Sequence, residues 1–243
     1  LMSKTFDNGT VCASEQAIVV KESCAQDVIA AFEEQGGYFL SPEEIDKVGQ
    51  IAFDAERGIM AASIVGQSVE QIANKAGIQV PADTQVLLAR LQGVGREHPL
   101  SAEILAPILA FYVEKEFDQS IERCTEITQY GGRGHTAVIY SNTEERIEYF
   151  SSVINAGRIL VNMPSTHGAL GGMMNTLSPS FTLACGTSGK NNTTDNITAR
   201  HLLNIHRITR RRPNPFWHRF DSSKYFDENL SGADLEREYY KNT

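Results

Sequence analysis

Cys12 follows a turn signal, Asp7-Asn8-Gly9, and precedes an apolar run, Ala17 to Val20. A thiol at the mouth of a strand can meet a ligand, and its thiolate is a soft nucleophile once local dipoles or a nearby cation stabilise it. The same position also suits a buried cysteine packed as a small hydrophobe. His135 lies between Gly131-Gly132 and an apolar run that begins at Thr136. It reads either as a histidine capping carbonyls or as a base exchanging protons near neutral pH. Glu103 is of a type that is normally solvated. The remaining cysteines, Cys24, Cys124 and Cys185, are dispersed and no C-x-x-C occurs, so no metal site of the zinc type is expected. Gly186-Thr-Ser-Gly-Lys190 has the texture of a phosphate loop, but the spacing is short and Asn191 stands where Ser or Thr is needed.

The elements that must hold these residues alternate. Ala17–Val20 reads as a strand, and Cys24–Gln35 as a helix stopped by Gly36-Gly37. Ser41-Pro-Glu-Glu44 opens a second helix, with Ser as cap and Glu three residues on. A helix over Val69–Ala76 ends at Gly77. Strands follow at Thr84–Ala89 and Pro107–Val113, a helix at Phe117–Tyr130, a strand at Thr136–Tyr140, a helix at Thr143–Asn155 and a strand at Arg158–Asn162. This order predicts an α/β fold with a largely parallel sheet. From Met163 to Asn196, Gly, Ser, Thr, Asn and Pro dominate, with spaced apolar residues, which predicts ordered loops lining a site. From Pro213 the pattern is weak apart from a short helix near Ala233–Tyr240.

The 243 residues carry 22 Lys and Arg against 30 Asp and Glu, a net charge of −8. Acidity of this size argues against a nucleic acid or an anionic membrane as partner. The basic stretch Arg207 to Arg219 therefore reads as a solvated or subunit-facing segment. No apolar run is long enough to span a bilayer. Sparse thiols suit a reducing cytoplasm, and the N-x-S/T triplets at Asn8, Asn191, Asn192 and Asn196 read as chance matches.

The words around Cys12 resemble a known family. LMSKTFDNGTVCASEQAIVV closely resembles the nucleophile segment of CoA-acylating aldehyde dehydrogenases, and most of all the aldehyde dehydrogenase half of bifunctional aldehyde–alcohol dehydrogenases. Glu103-Ile-Leu-Ala-Pro107 resembles that family's Glu-x-x-x-Pro segment, and Gly131-Gly-Arg-Gly-His135-Thr136 its GGxGHT segment. The stretch from Arg158 to Asn196 resembles its C-terminal active-site wall, and His201-Leu-Leu-Asn204 follows in order. The segments together are specific, and the likeness runs from Leu1 to the neighbourhood of Arg219.

The resemblance implies the catalytic domain of the aldehyde dehydrogenase fold over residues 1–200, with 201–243 as an extension, linker or oligomerisation segment. It implies that the Cys12 thiolate attacks a small aldehyde to give a thiohemiacetal. Hydride transfer to NAD then leaves a thioester, and coenzyme A takes the acyl group; the reverse direction reduces acetyl-CoA to acetaldehyde. By the same resemblance His135 lies near the thiol and coenzyme A. Glu103, with Pro107 in its segment, belongs to cofactor binding and holds the nicotinamide ribose. Thr166, His167, Gly168 and Cys185 belong to the substrate and coenzyme A pocket. A cytoplasmic, fermentative homo-oligomer, dimer or filament, is implied too. No G-x-G-x-x-G occurs, and the family keeps most of its nucleotide-binding domain ahead of the cysteine. The expectation is therefore a catalytic half lacking most of that domain, weak in NAD binding and in dehydrogenase activity by itself. The sequence after Phe226 does not continue as an iron-dependent alcohol dehydrogenase half. Three alternatives stand beside this: a non-catalytic interface domain, a hydrolytic NAD(P)-dependent aldehyde dehydrogenase, and a cysteine hydrolase that needs Cys12 and His135 within hydrogen-bond reach.

Overall fold

The computed structural model describes residues 1–210, 223 and 227–241. Residues Leu1–Leu202 form one compact unit and Leu203–Thr243 a second. The first unit opens with a one-turn helix α1 (Met2–Thr5) and a 3-10 turn (Phe6–Gly9), then β1 (Ala17–Lys21), α2 (Glu22–Glu34), β2 (Gly37–Phe39) and α3 (Pro42–Ala52). A two-residue hairpin, β3 (Phe53–Asp54) and β4 (Ile59–Met60), leads to α4 (Val69–Ala76), β5 (Val86–Arg90) and β6 (Ile108–Glu114). After these come α5 (Phe117–Gly131), β7 (Gly134–Ile139), α6 (Glu144–Val153), β8 (Ala156–Val161) and α7 (Ser165–Leu170).

The strands form two parallel sheets. One has the order β1-β6-β5-β2, the other pairs β7 with β8, and β3-β4 stands apart as an antiparallel hairpin. The larger sheet is buried on both faces, and its central strands show why. Along β5 and β6, Leu87, Ala89, Ile108, Ala110 and Tyr112 face one core, while Val86, Leu88, Leu109 and Phe111 face the other. Continuous apolar runs of this kind suit a parallel sheet covered by helices on each side. Val48, Ala52, Ile72 and Ala73 of α3 and α4 close the first face, and Ala25 and Ile29 of α2 close the second. Each fully buried aliphatic side chain there contributes about 1.5–3 kcal/mol. The smaller sheet has its own core of Ile121, Ile139, Phe150 and Ile154, drawn from α5, β7 and α6 and the residue that ends α6.

Local signals set the helix ends. Ser41 Oγ accepts the Glu44 N–H and Glu44 Oε2 accepts the Ser41 N–H, a reciprocal cap at the start of α3. Ser68 and Gln71 repeat it at α4, which ends on Gly77 at φ +64°. The expected parallel pairing is present, divided between two sheets because β7 and β8 pair only with each other. One expectation needs correction. The stretch expected to be loop contains α7, whose first N–H groups are held by side chains far away in sequence. In the second unit the helix α8 spans Gly232–Lys241, and most of the basic stretch Arg207 to Arg219 lies outside the described residues. No helix among the described residues is long and apolar enough to cross a membrane.

Candidate active site

Three consecutive residues, Asp7, Asn8 and Gly9, take positive φ of 50°, 50° and 75°. Asp and Asn tolerate this left-handed turn better than other side chains, and glycine freely. Thr10 Oγ1 donates to Asp7 Oδ2 at 2.5 Å, and Asn8 Nδ2 to the Gly66 carbonyl at 3.1 Å. Glycine at position 9 has a second reason. A Cβ there would stand 2.8 Å from both the carbonyl carbon and oxygen of Ala106. The loop therefore lies directly on the segment that follows Glu103. The chain then turns through Val11–Ser14, where the Ser14 N–H donates to the Val11 carbonyl at 2.8 Å. Cys12 is exposed on this turn, and its backbone N–H has no acceptor elsewhere among the described residues.

His135 comes from β7, and its Nε2 is 3.2 Å from Cys12 Sγ. Its Nδ1 is 2.9 Å from Thr136 Oγ1. With the ring proton on Nδ1 toward Thr136, Nε2 accepts the Cys12 S–H. Arg158, paired with Thr136 in the β7–β8 register, is 4% exposed. Its Nη1 donates to the His135 carbonyl at 3.3 Å, its Nε to Asn196 Oδ1 at 2.8 Å, and its Nη2 to the carbonyls of Ala184 at 2.6 Å and Thr194 at 3.1 Å. Asn196 Nδ2 in turn donates to the carbonyls of Ala169 and Ser178 at 2.8 and 2.9 Å. One buried guanidinium thus ties the base, the wall loops and α7 together. Arg158→Met should lose at least about 3 kcal/mol of stability, because several buried acceptors lose their donor at once. The urea unfolding midpoint should fall with an unchanged slope.

The charges around the pair keep both partners neutral at rest. Cys12 is exposed overall, yet partial desolvation raises its thiol above its usual range, and Glu103 and Cys185 add to this, while its own backbone N–H and Arg158 pull the other way. Burial lowers the His135 imidazole, and Arg158 lowers it further. Glu103 is exposed overall, yet partial desolvation raises its carboxyl and Lys4 opposes the rise. The arrangement suits a thiol that gives its proton to the imidazole only as it attacks.

No family model matches the chain. An aldehyde-alcohol dehydrogenase of Clostridium acetobutylicum is 39% identical to it over 230 residues, 93% of this chain and 26% of that protein. The crystal structure of an acetylating aldehyde dehydrogenase from Geobacillus thermoglucosidasius matches it with a TM-score of 0.80 at 43% identity, over 88% of this chain and 47% of that one. This chain is a homologue of the acetylating aldehyde dehydrogenases. It spans about a quarter of the curated relative's length and about half of the solved chain's. A propionaldehyde dehydrogenase of Rhodopseudomonas palustris, solved with bound propionyl-CoA, matches at 25% identity with a TM-score of 0.67, over 79% of this chain and 41% of that one.

In this acetylating aldehyde dehydrogenase homologue, Cys12 and His135 meet directly, and Glu103 and Cys185 act electrostatically on the thiol. Cys185 sits on the wall behind His135: its carbonyl fills the space a Cβ on Gly134 would need, and its N–H donates to Asn191 Oδ1 at 2.8 Å. Three other residues are buried within the frame of the site. Thr166 is fully buried, its N–H and hydroxyl both donating to Ser3. Gly168 is buried where a Cβ would meet Leu160 and Met163 at 2.8 Å. Pro107 is buried at the foot of β6, its carbonyl accepting the Leu87 N–H. His167 packs edge-on against Phe6, ring centroids 5.5 Å apart, with Nδ1 buried and unpartnered among the described residues. Sequence reasoning missed Arg158, Asn196, Lys4 and Gln16. An arginine opening the apolar run Arg158-Ile-Leu-Val161 was a usable signal, since a charge in a strand of that texture requires partners.

Proposed function

We propose that this chain carries the acyl-transfer chemistry of an acylating aldehyde dehydrogenase, interconverting a small aldehyde and its acyl-CoA. The observation that carries the reading is the 3.2 Å contact between Cys12 Sγ and His135 Nε2, in a homologue of acetylating enzymes. His135 takes the thiol proton as Sγ bonds to the carbonyl carbon, and the carbonyl electrons move to oxygen. The free Cys12 N–H donates to that oxyanion. Glu103 has no hydrogen-bond partner among the described residues, so its carboxylate fits a ribose diol of the nicotinamide nucleotide, read here as NAD. What NAD supplies when bound is a hydride acceptor for conversion of the thiohemiacetal to the thioester. His135 gives the first proton up to solvent before acyl transfer, and the neutral imidazole then takes the proton of the coenzyme A thiol. That sulfur then attacks the thioester, and Cys12 departs as thiolate and recovers the proton. Thiolate serves as both nucleophile and leaving group, and it leaves far more readily than an alkoxide. The four cysteines are unpaired, in keeping with a cytoplasmic setting, and we assign the working unit to a homo-oligomer in fermentative metabolism.

A cysteine hydrolase would use the same contact, but the homology favours transfer to coenzyme A over transfer to water. Acetyl-CoA added to the full chain tests this without nucleotide. Peptide mass spectrometry should find one acetyl group on Cys12, with free coenzyme A released in equal amount. Added coenzyme A should then regenerate acetyl-CoA. Acetylation of another cysteine, no acetylation, or steady release of acetate would overturn the assignment.

A further inference from the structure

The nucleophile loop and the Glu103 segment are fastened together at a point the mechanism above does not use. Lys4 of α1 is 1% exposed. Its Nζ donates to the Ile104 carbonyl at 2.9 Å and to Gln16 Oε1 at 3.3 Å. The same Gln16 oxygen accepts the Ile104 N–H at 2.9 Å. Both backbone polar groups of Ile104 are therefore held, one by a side chain before Cys12 and the other by a side chain after it. The next residues are held as well. The Leu105 N–H points to Met60 Sδ at 2.9 Å, its carbonyl accepts the Gly66 N–H at 2.9 Å, and Ala106 lies under Gly9. The backbone that carries Glu103 cannot slide relative to the loop that carries Cys12.

Burying an ammonium group is unfavourable. Here burial pulls Lys4 down to about 7, against the pull of Glu15 and Glu103. A methionine would fill the same space without that desolvation. What the amine adds is the bond to Ile104, which the neutral form also makes.

We propose that Lys4 is a positioning residue: with Gln16 it clasps Ile104 and so holds the Glu103 carboxylate beside the Cys12 thiol. The inference rests on reading Glu103 and Cys12 as members of one site. Lys4 acts on the thiol only through Glu103. The charged and titratable groups that act on Cys12 are Glu103, Cys185 and Arg158, with His135 in contact, and those facing Lys4 are Glu15 and Glu103.

The test is the pH dependence of Cys12 alkylation by iodoacetamide, followed by peptide mass spectrometry on the full chain. It needs no aldehyde, nucleotide or coenzyme A, so it reads separately from the acetylation experiment. Glu103→Gln removes a negative charge, so the alkylation midpoint should fall by about half a pH unit. Lys4→Met should lower it by a similar amount, as the carboxylate leaves the thiol. The double variant should fall no further than Glu103→Gln alone. A lysine that only filled space would change the melting temperature and leave this profile in place. A Lys4→Met midpoint equal to the parent's, additive shifts, or no shift in Glu103→Gln would each overturn the proposal. If circular dichroism shows Lys4→Met unfolded, Gln16→Met breaks the other arm of the clasp and is judged by the same midpoint.

Discussion

Cys12→Ser should lower the single-turnover rate of acyl transfer from acetyl-CoA by on the order of 10⁴-fold or more. The hydroxyl keeps the shape and the contact with His135 but loses the chemistry. A neutral imidazole whose basicity is already reduced by burial and Arg158 cannot readily take a proton from an alcohol. An acyl-serine would also fail to return its acyl group to coenzyme A, because alkoxide leaves far less easily than thiolate. Cys24→Ser is the matched control. Cys24 is exposed, its thiol donates to the Lys21 carbonyl at the start of α2, and its loss should change the rate by no more than a few-fold. A serine variant within tenfold of the parent would remove Cys12 from the mechanism.

His135→Ala should lower the same rate by about 10²–10⁴-fold near neutral pH, the usual range for a positioned base. The pH profile identifies the cause. Histidine is a base only above its folded-state pKa, and here that value is depressed below the ordinary 6.5. In the parent the rate should rise on the acid side of 6.5 and stay high through neutrality. In the variant that limb should vanish, and the rate should follow the thiolate fraction of Cys12, whose raised pKa places it in the alkaline range. The deficit should therefore shrink as pH rises. A deficit constant across pH would mean that alanine had damaged the fold and not the proton transfer.

Much of the framework was legible because its signals are local. The caps at Ser41 and Ser68, the glycine at position 77, and the unbroken apolar runs of β5 and β6 each specify an element within a few residues. The motif segments likewise brought forward Cys12 and His135, whose side chains lie 3.2 Å apart. What was not legible depends on partners distant in the chain. Helix α7 reads Ser-Thr-His-Gly-Ala-Leu, and its first four residues are weak helix formers without a local cap. Its first N–H groups are held by Glu15 and Ser3, at separations of 150 and 163 residues. Strand β2 is three residues long directly after a helix stop, and it exists because β5 offers it a ladder. The split into two sheets was hidden for the same reason, since strand spacing says nothing about which strands pair. Thr166 and Gly168 came forward by motif position, but the burial of Thr166 against Ser3 and of Gly168 against Leu160 was not legible.

The dyad spans 123 residues of sequence, the thiol on the loop ahead of β1 and the imidazole on β7. During synthesis the thiol is made long before the imidazole exists. The loop can dock on the Glu103 segment once β6 has been translated, yet the base arrives only with β7, and Arg158 and Asn196 fix its backbone later still. Until the wall closes, Cys12 is an ordinary cysteine with no proton acceptor beside it. The order of the chain thus acts as a delay: the pair cannot form before β7 has been made.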